Sequence, residues 1–225
     1  MSERVIAITG ATGILGRVVA AHFAGTSARL ALLALSEEEV AALASELPGG
    51  TDRHSGFAVD LVDAAASRAV AAAIGDRLGP ASVLLHLVGG YAGGTPFVDA
   101  EDEEFRHQLD LNLWSTIHAI RAFLPGVIAA EHGRIVTVST FVAAAPTPKH
   151  AAYAASKAAV EALTISVARD LAGTTATANV VVLRSIGAEK PTEQRPEEIA
   201  AVMAWLCSPE AGTINGQRVN LFGRA

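Results

Sequence analysis

Val5-Ile6-Ala7-Ile8-Thr9-Gly10-Ala11-Thr12-Gly13-Ile14-Leu15-Gly16 is the stretch that decides the fold. Its apolar start, with no polar alternation, reads as a strand buried on both faces, as in a parallel sheet. Three glycines follow, and then the helix-prone Arg17–Ala24. Strand, glycine turn and helix together form the context that a dinucleotide fingerprint requires. Glycine permits a tight turn and a close backbone approach to a ligand. The helix N-terminus then offers free N–H groups and a positive dipole end to a pyrophosphate. An ordinary strand-to-helix turn is the competing reading; the flanking strand and helix favour nucleotide binding.

Outward from there, strand-like runs alternate with helix-like ones. Further strands are expected at Arg29–Leu35, Gly56–Val59, Ser82–Val88, Arg134–Ser139, Asn179–Leu183 and Gly216–Phe222. Helices are expected between them, including Ala64–Leu78, a run from Asp102 to Ala122, Ala151–Leu171, and one opening at Pro196. Ser36-Glu37-Glu38-Glu39 carries the Ser-x-x-Glu capping pattern. Strict alternation means βαβ units. The expected fold is α/β: a Rossmann-type doubly wound parallel sheet of about seven strands in three αβα layers, with 1–225 as a single domain. No internal repeat or linker interrupts it.

Composition bounds the function. The 225 residues are 51% hydrophobic, enough for a sizeable core, and the net charge is −6. An acidic chain with no basic stripe is a poor non-specific nucleic-acid binder. Cys207 is the only cysteine, so no intrachain disulfide can form. The seven histidines show no ligand spacing, so no metal is expected. Met1-Ser2-Glu3-Arg4 lacks the apolar core of a secretory signal, and no stretch reads as a membrane span. The expected location is cytoplasmic.

Several residues suggest chemistry. Tyr153-Ala154-Ala155-Ser156-Lys157 opens the Ala151–Leu171 helix, and positions i and i+4 share a face. An ammonium near a phenol favours phenolate and lowers its pKa, making it a usable general acid or base. Ser139-Thr140 ends a strand thirteen residues earlier, where a hydroxyl could bond a carbonyl that gains charge. Asn112 stands inside a helical pattern against its propensity; it either bends the helix and holds a water or is merely exposed. Asp60 either meets an adenine amino group or caps the next helix. His86, inside an apolar strand, reads as a core residue, and Glu37–Glu39 as a solvated helix start. Ala34 and Leu35 supply neither the acid that binds a ribose 2′-hydroxyl nor the Arg that suits a 2′-phosphate.

Taken in order, these motifs resemble the short-chain dehydrogenase/reductase family over nearly the whole chain. The Gly89-Gly90-Tyr91-Ala92-Gly93-Gly94 segment is similar to that of dihydropteridine-reductase-like members. The resemblance implies reversible hydride transfer between NAD or NADP and a small carbonyl or secondary alcohol. It implies Tyr153 as the proton donor or acceptor, and Lys157 as the group that tunes Tyr153 and holds the nicotinamide ribose. Thr140 would replace the usual serine, with Ser139 as the fallback, and Asn112 would hold a water leading to Lys157. The implied cofactor site runs from Gly10, Thr12, Gly13, Ile14, Leu15 and Gly16 to Leu35, Ser36, Asp60 and Leu61. It continues through Val88, Gly89, Gly90, Tyr153 and Lys157 to Ser185 and Ile186. A homodimer or homotetramer through the helices near 105–130 and 151–172 is also implied.

The chain departs from the family pattern at five places. Gly10, Gly13 and Gly16 follow the spacing G-x-x-G-x-x-G. His86-Leu87-Val88-Gly89 replaces Asn-Asn-Ala-Gly, and Thr140 replaces Ser. Arg184-Ser185 replaces Pro-Gly, and the segment from Gly187 to Pro196 is shorter than the usual substrate-covering loop. These departures support an alternative: a nucleotide-binding sensor or supporting subunit without turnover. A third reading, a nucleotide-sugar epimerase, would need a C-terminal substrate domain that the chain is too short to hold.

Overall fold

The inner strands of the computed structural model, which describes residues 4–190 and 193–222, carry apolar side chains to two different cores. In β1 (Val5–Thr9), Ile6 and Ile8 face one way and Val5 and Ala7 the other. The same alternation runs through β2 (Arg29–Ala34), β4 (Val83–His86) and β6 (Thr177–Leu183). With β3 (His54–Ala58), β5 (Arg134–Thr140) and β7 (Arg218–Leu221), they form one seven-stranded sheet. All pairings are parallel, in the order β3-β2-β1-β4-β5-β6-β7. A parallel sheet must be covered on both faces. Helices α1 (Ile14–Ala24), α2 (Glu37–Glu46) and α8 (Pro196–Leu206) cover one, while α4 (Ala64–Leu78), α6 (Ser115–Ala129) and α7 (Ala151–Asp170) cover the other. This is the expected doubly wound αβα architecture.

The order reverses between β1 and β4, which is where an open α/β sheet leaves a crevice at the strands' C-terminal edge. Gly10, at φ +64°, turns the chain out of β1. A side chain at Gly16 would drive its Cβ into the Gly10 carbonyl oxygen, so only glycine lets α1 lie this close to the turn.

Boundaries differ from expectation in places. Helix α1 begins at Ile14 rather than Arg17, and a short α3 (Gly50–Arg53) precedes β3. The run expected as one helix from Asp102 is three pieces: α5 (Asp102–Gln108), a π-helical turn at Leu109–Trp114, and α6. Among the described residues no helix is long and apolar enough to cross a membrane.

Candidate active site

A cleft of about 360 Å³ opens at the crevice. Gly10, Thr12 and Gly13 line it from the β1 turn, Ala34, Leu35 and Ser36 from the end of β2, and Asp60, Leu61 and Val62 from the end of β3. Leu87, Val88 and Gly89 close it beneath, with Leu111 and Ser115 beside them. No side chain caps the N-terminus of α1, so its first N–H groups are left for a ligand. Ile14 is exposed there, whereas Leu15 and Gly16 are buried and pack α1 onto the sheet. The size, the glycine approach and the free helix end fit a nucleotide.

The sequence reading of this cleft needs two refinements. Helix α4 is capped by Asp63, whose Oδ1 accepts from Ala65 N and Ala66 N at 2.6 and 3.0 Å. Asp60 is therefore not the cap; its Oδ1 accepts from Val62 N at 2.9 Å, and the residue lines the cleft. Ser36 caps α2, accepting from Glu39 N at 3.3 Å as the pattern requires, but Glu39 is not merely solvated: it lines the cleft. No Lys, Arg or His is among the lining residues. Glu39, Leu87 and Leu111 were not anticipated. For Glu39 the only signal was its place one helical turn after the end of β2.

Beyond the cleft, α7 places Tyr153 and Lys157 near the end of β5. The hydroxyl of Thr140, its last residue, lies near enough to the Tyr153 phenol to draw its pKa down. Lys157 is buried, and its Nζ donates to the Val138 carbonyl at 3.1 Å. A Cβ on Gly89 would lie 2.7 Å from that Nζ and 2.8 Å from Asn112 Oδ1, so the glycine is what lets the lysine pass. Desolvation brings the Lys157 ammonium down to about 8. Burial also raises the Tyr153 phenol above its ordinary value, with the Thr140 hydroxyl pulling it down and Tyr91 pushing it up. The expected lowering of the phenol by Lys157 is absent from this free site. The helix puts both residues on one face, but a buried ammonium needs acceptors, and it finds one in the strand-edge carbonyl of Val138.

Asn112 is fully buried in the π-turn. Its Oδ1 accepts from Gly90 N at 3.1 Å. Its Nδ2 faces Gly90 O at 3.2 Å, and Gln108 Oε1 and Ser156 Oγ at 3.1 Å each. The side chain thus clamps the glycine loop to the π-turn and to α7. The extra residue of the π-turn frees main-chain carbonyls, and Ser115 and Thr116 hydroxyls bond Leu111 O and Asn112 O, each at 2.6 Å. Ser139 continues the β5 row that faces α7 and donates to Glu161 Oε1 at 2.7 Å; Glu161 also pairs with Arg218. It stands apart from the Thr140–Tyr153 pair.

His86 is a core residue, as expected. It contacts Thr9 Oγ1 at 3.0 Å, its Nε2 has no partner, and burial, helped by the Lys157 charge, depresses its pKa to about 3. After β6 the chain closes on itself. Gln194 Oε1 accepts from Arg184 N and Ser185 N at 2.8 and 3.3 Å. The Arg184 guanidinium lies over Phe141 and Phe222 at 5.5 and 5.9 Å. Ser185 and Ile186 are exposed and do not line the cleft, nor does Gly90. Pro191 and Thr192, within the segment expected to be a shortened lid, lie outside the described residues.

Residues 4–198 match the family described as short chain dehydrogenase. The 2,3-dihydroxy-2,3-dihydro-p-cumate dehydrogenase of Pseudomonas putida is 26% identical over 99% of this chain and 94% of its own length. The D-threitol dehydrogenase of Mycolicibacterium smegmatis is 30% identical over 99% of this chain and 93% of its own. Among solved structures, an NADPH-bound short chain oxidoreductase from Pseudomonas aeruginosa, described as containing an atypical catalytic center, superposes with a TM-score of 0.88. It is 25% identical and covers 97% of this chain and 95% of its own.

Proposed function

The chain belongs to the short-chain dehydrogenase/reductase family and is an NAD(P)-dependent oxidoreductase of that type; on that premise we propose that it interconverts a small carbonyl and a secondary alcohol, with Tyr153 as the general acid or base. The observation that carries this reading is the Thr140 hydroxyl beside the Tyr153 phenol, with Lys157 buried on the same helix face against Gly89.

The turn at Gly10–Gly16, the free end of α1 and the cleft walls at Leu35, Ser36, Asp60, Leu61, Val88 and Gly89 would hold the cofactor. When bound, the nicotinamide supplies or accepts the hydride. Tyr153 holds the proton that moves to or from the substrate oxygen, and its raised pKa keeps it protonated at neutral pH. Thr140 fixes the phenol and offers its hydroxyl to an oxygen that gains negative charge. Lys157, lying against Gly89, is the cation poised to turn toward a cofactor ribose or the phenol. Asn112 and its π-turn hold the Gly89-Gly90 peptide rigid beneath both.

The names of the two dehydrogenase relatives, a 2,3-dihydroxy compound and D-threitol, carry over only as small and hydroxylated. We also read a homodimer or homotetramer through α5, α6 and α7, supported by Trp114 and Ile128, each 44% exposed along that segment. The cytoplasm suits a chain whose one cysteine is a buried free thiol.

The test is a fluorescence titration with NADH and with NADPH, followed by carbonyl reduction assays with the tighter cofactor. Tyr153→Phe should abolish turnover and leave cofactor affinity nearly unchanged. Unaltered turnover in that variant would remove Tyr153 from proton transfer. Tight cofactor binding with no turnover on any carbonyl would favour the sensor reading.

A further inference from the structure

Tyr91 stands beside the reacting phenol. Its ring meets that of Tyr153 edge-on, with centroids 5.2 Å apart and planes at 90°. Yet 62% of the residue is exposed, so core packing does not account for it. Its hydroxyl is held instead: His150 Nε2 lies 2.9 Å away. His150 is fixed from its other side, with Nδ1 2.7 Å from the Pro148 carbonyl and 2.9 Å from the Thr147 hydroxyl. Between them, Lys149 is the one non-glycine residue with positive φ among the described residues, at 67°. Its carbonyl accepts from Gly94 N at 2.9 Å, which ties the Tyr91 loop to the start of α7. Backbone held in this region persists only where its surroundings impose it, and such positions gather at functional sites.

The hydrogen-bond directions follow. The Pro148 carbonyl can only accept, so Nδ1 carries the imidazole proton. A neutral imidazole has one N–H, so Nε2 accepts and the Tyr91 O–H donates to it. With its own proton committed to His150, the Tyr91 oxygen presents lone pairs to a ligand. It accepts, and therefore selects a donor.

We propose that Tyr91, oriented by His150, is a second substrate contact beside Tyr153, and that the site takes carbonyl compounds with a hydroxyl on the adjacent carbon: 2-hydroxy ketones or, in reverse, vicinal diols. The proposal rests on the oxidoreductase reading above and names its substrate class. The carbonyl carbon gains a hydride from reduced cofactor, which is oxidised, and the carbonyl oxygen gains the Tyr153 proton, giving the diol. The neighbouring substrate hydroxyl donates to Tyr91 and exchanges no proton. His150 is a positioning residue; it touches no reacting atom.

The experiment uses matched ketone pairs on the full chain with the tighter cofactor: acetoin against 2-butanone, and 2-hydroxycyclohexanone against cyclohexanone. The hydroxylated member should lead in kcat/KM by about tenfold, the upper end for one neutral hydrogen bond. Tyr91→Phe keeps the ring contact and should remove that preference, the hydroxylated member falling about tenfold relative to its plain partner. His150→Phe should cost the hydroxylated member alone, and His150→Gln, whose amide oxygen can accept the same O–H, should restore part of it. Equal rates within wild-type pairs, or a Tyr91→Phe loss shared by both members, overturns this proposal and leaves the oxidoreductase reading standing. No turnover of any ketone with either cofactor overturns both.

Discussion

Lowering the pH from 7.5 to 5.0 should destabilise the fold, chiefly through His86. Its folded-state pKa is depressed from 6.5 to about 3, so the folded protein holds the ring neutral while the unfolded chain binds a proton. For a group depressed in this way, the stabilising balance is fully present above the unfolded pKa and is lost as pH falls below it, down to the folded pKa. Between pH 7.5 and 5.0 the unfolded state gains about 1.5 log units of proton binding that the folded state does not share, worth about 2 kcal/mol. His54, also lowered by burial, adds a loss of the same sign. Its protonation would break the bond that its Nδ1 accepts from Leu30 N.

The remaining shifted carboxylates and Lys157 act outside this window. Asp63 and Glu210 are depressed from 3.8 and 4.5, so they act at lower pH. Lys157, lowered from 10.5 to about 8, relieves its strain only above pH 8. The assay is urea unfolding at the two pH values, for wild type and His86→Asn. With a slope of about 2.5 kcal/mol/M, the wild-type midpoint should fall by close to 1 M. The variant has lost one buried imidazole and should fall by clearly less. Parallel falls in the two proteins would refute the buried-histidine argument.

At the site, Gly89→Ala would place a Cβ 2.7 Å from Lys157 Nζ and 2.8 Å from Asn112 Oδ1. Displacing the lysine should cut kcat/KM about a hundredfold while the fold persists by circular dichroism. Glu39→Lys replaces one of the two acids, Glu39 and Asp60, that line a cleft with no cation among its lining residues. The NADPH-to-NADH affinity ratio, from paired fluorescence titrations, should rise about tenfold. Initial rates should also split by direction. A phenol raised by burial stays protonated across neutral pH, so reduction should run flat from about pH 6 to 7.5, while oxidation, which needs phenolate, climbs with pH. Oxidation that is flat or falling over that range would contradict Tyr153 as its base.

The fold was legible because its signals are local and redundant. Val5–Ile8 reads as a two-faced buried strand, and its side chains do divide between two cores. Ser36 and Pro196 start helices where capping chemistry says they should. The π-turn at Leu109–Trp114 was not legible as such. Asn112 announced a break in helical propensity, but one inserted residue leaves the apolar spacing almost unchanged, so periodicity carries straight through it.

The site was legible in its membership more than in its bonds. Spacing put Tyr153 and Lys157 on one face, and the helix obeys. What spacing cannot specify is where a long, flexible side chain ends. Lys157 has four rotatable carbons and a charge that burial makes costly, so an acceptor within its reach decides its direction. That carbonyl belongs to Val138, on a strand nineteen positions earlier in the chain. Asn112 behaves likewise: Gly90 claims both ends of its amide, a partnership that no spacing in the sequence announces. Tyr91 and His150 are fifty-nine positions apart and share no motif, so only the meeting of the β4 loop with the start of α7 reveals them as a pair. Such partnerships are set by which strand ends abut. In a parallel sheet that is fixed by strand order, which the sequence expresses only through the fold.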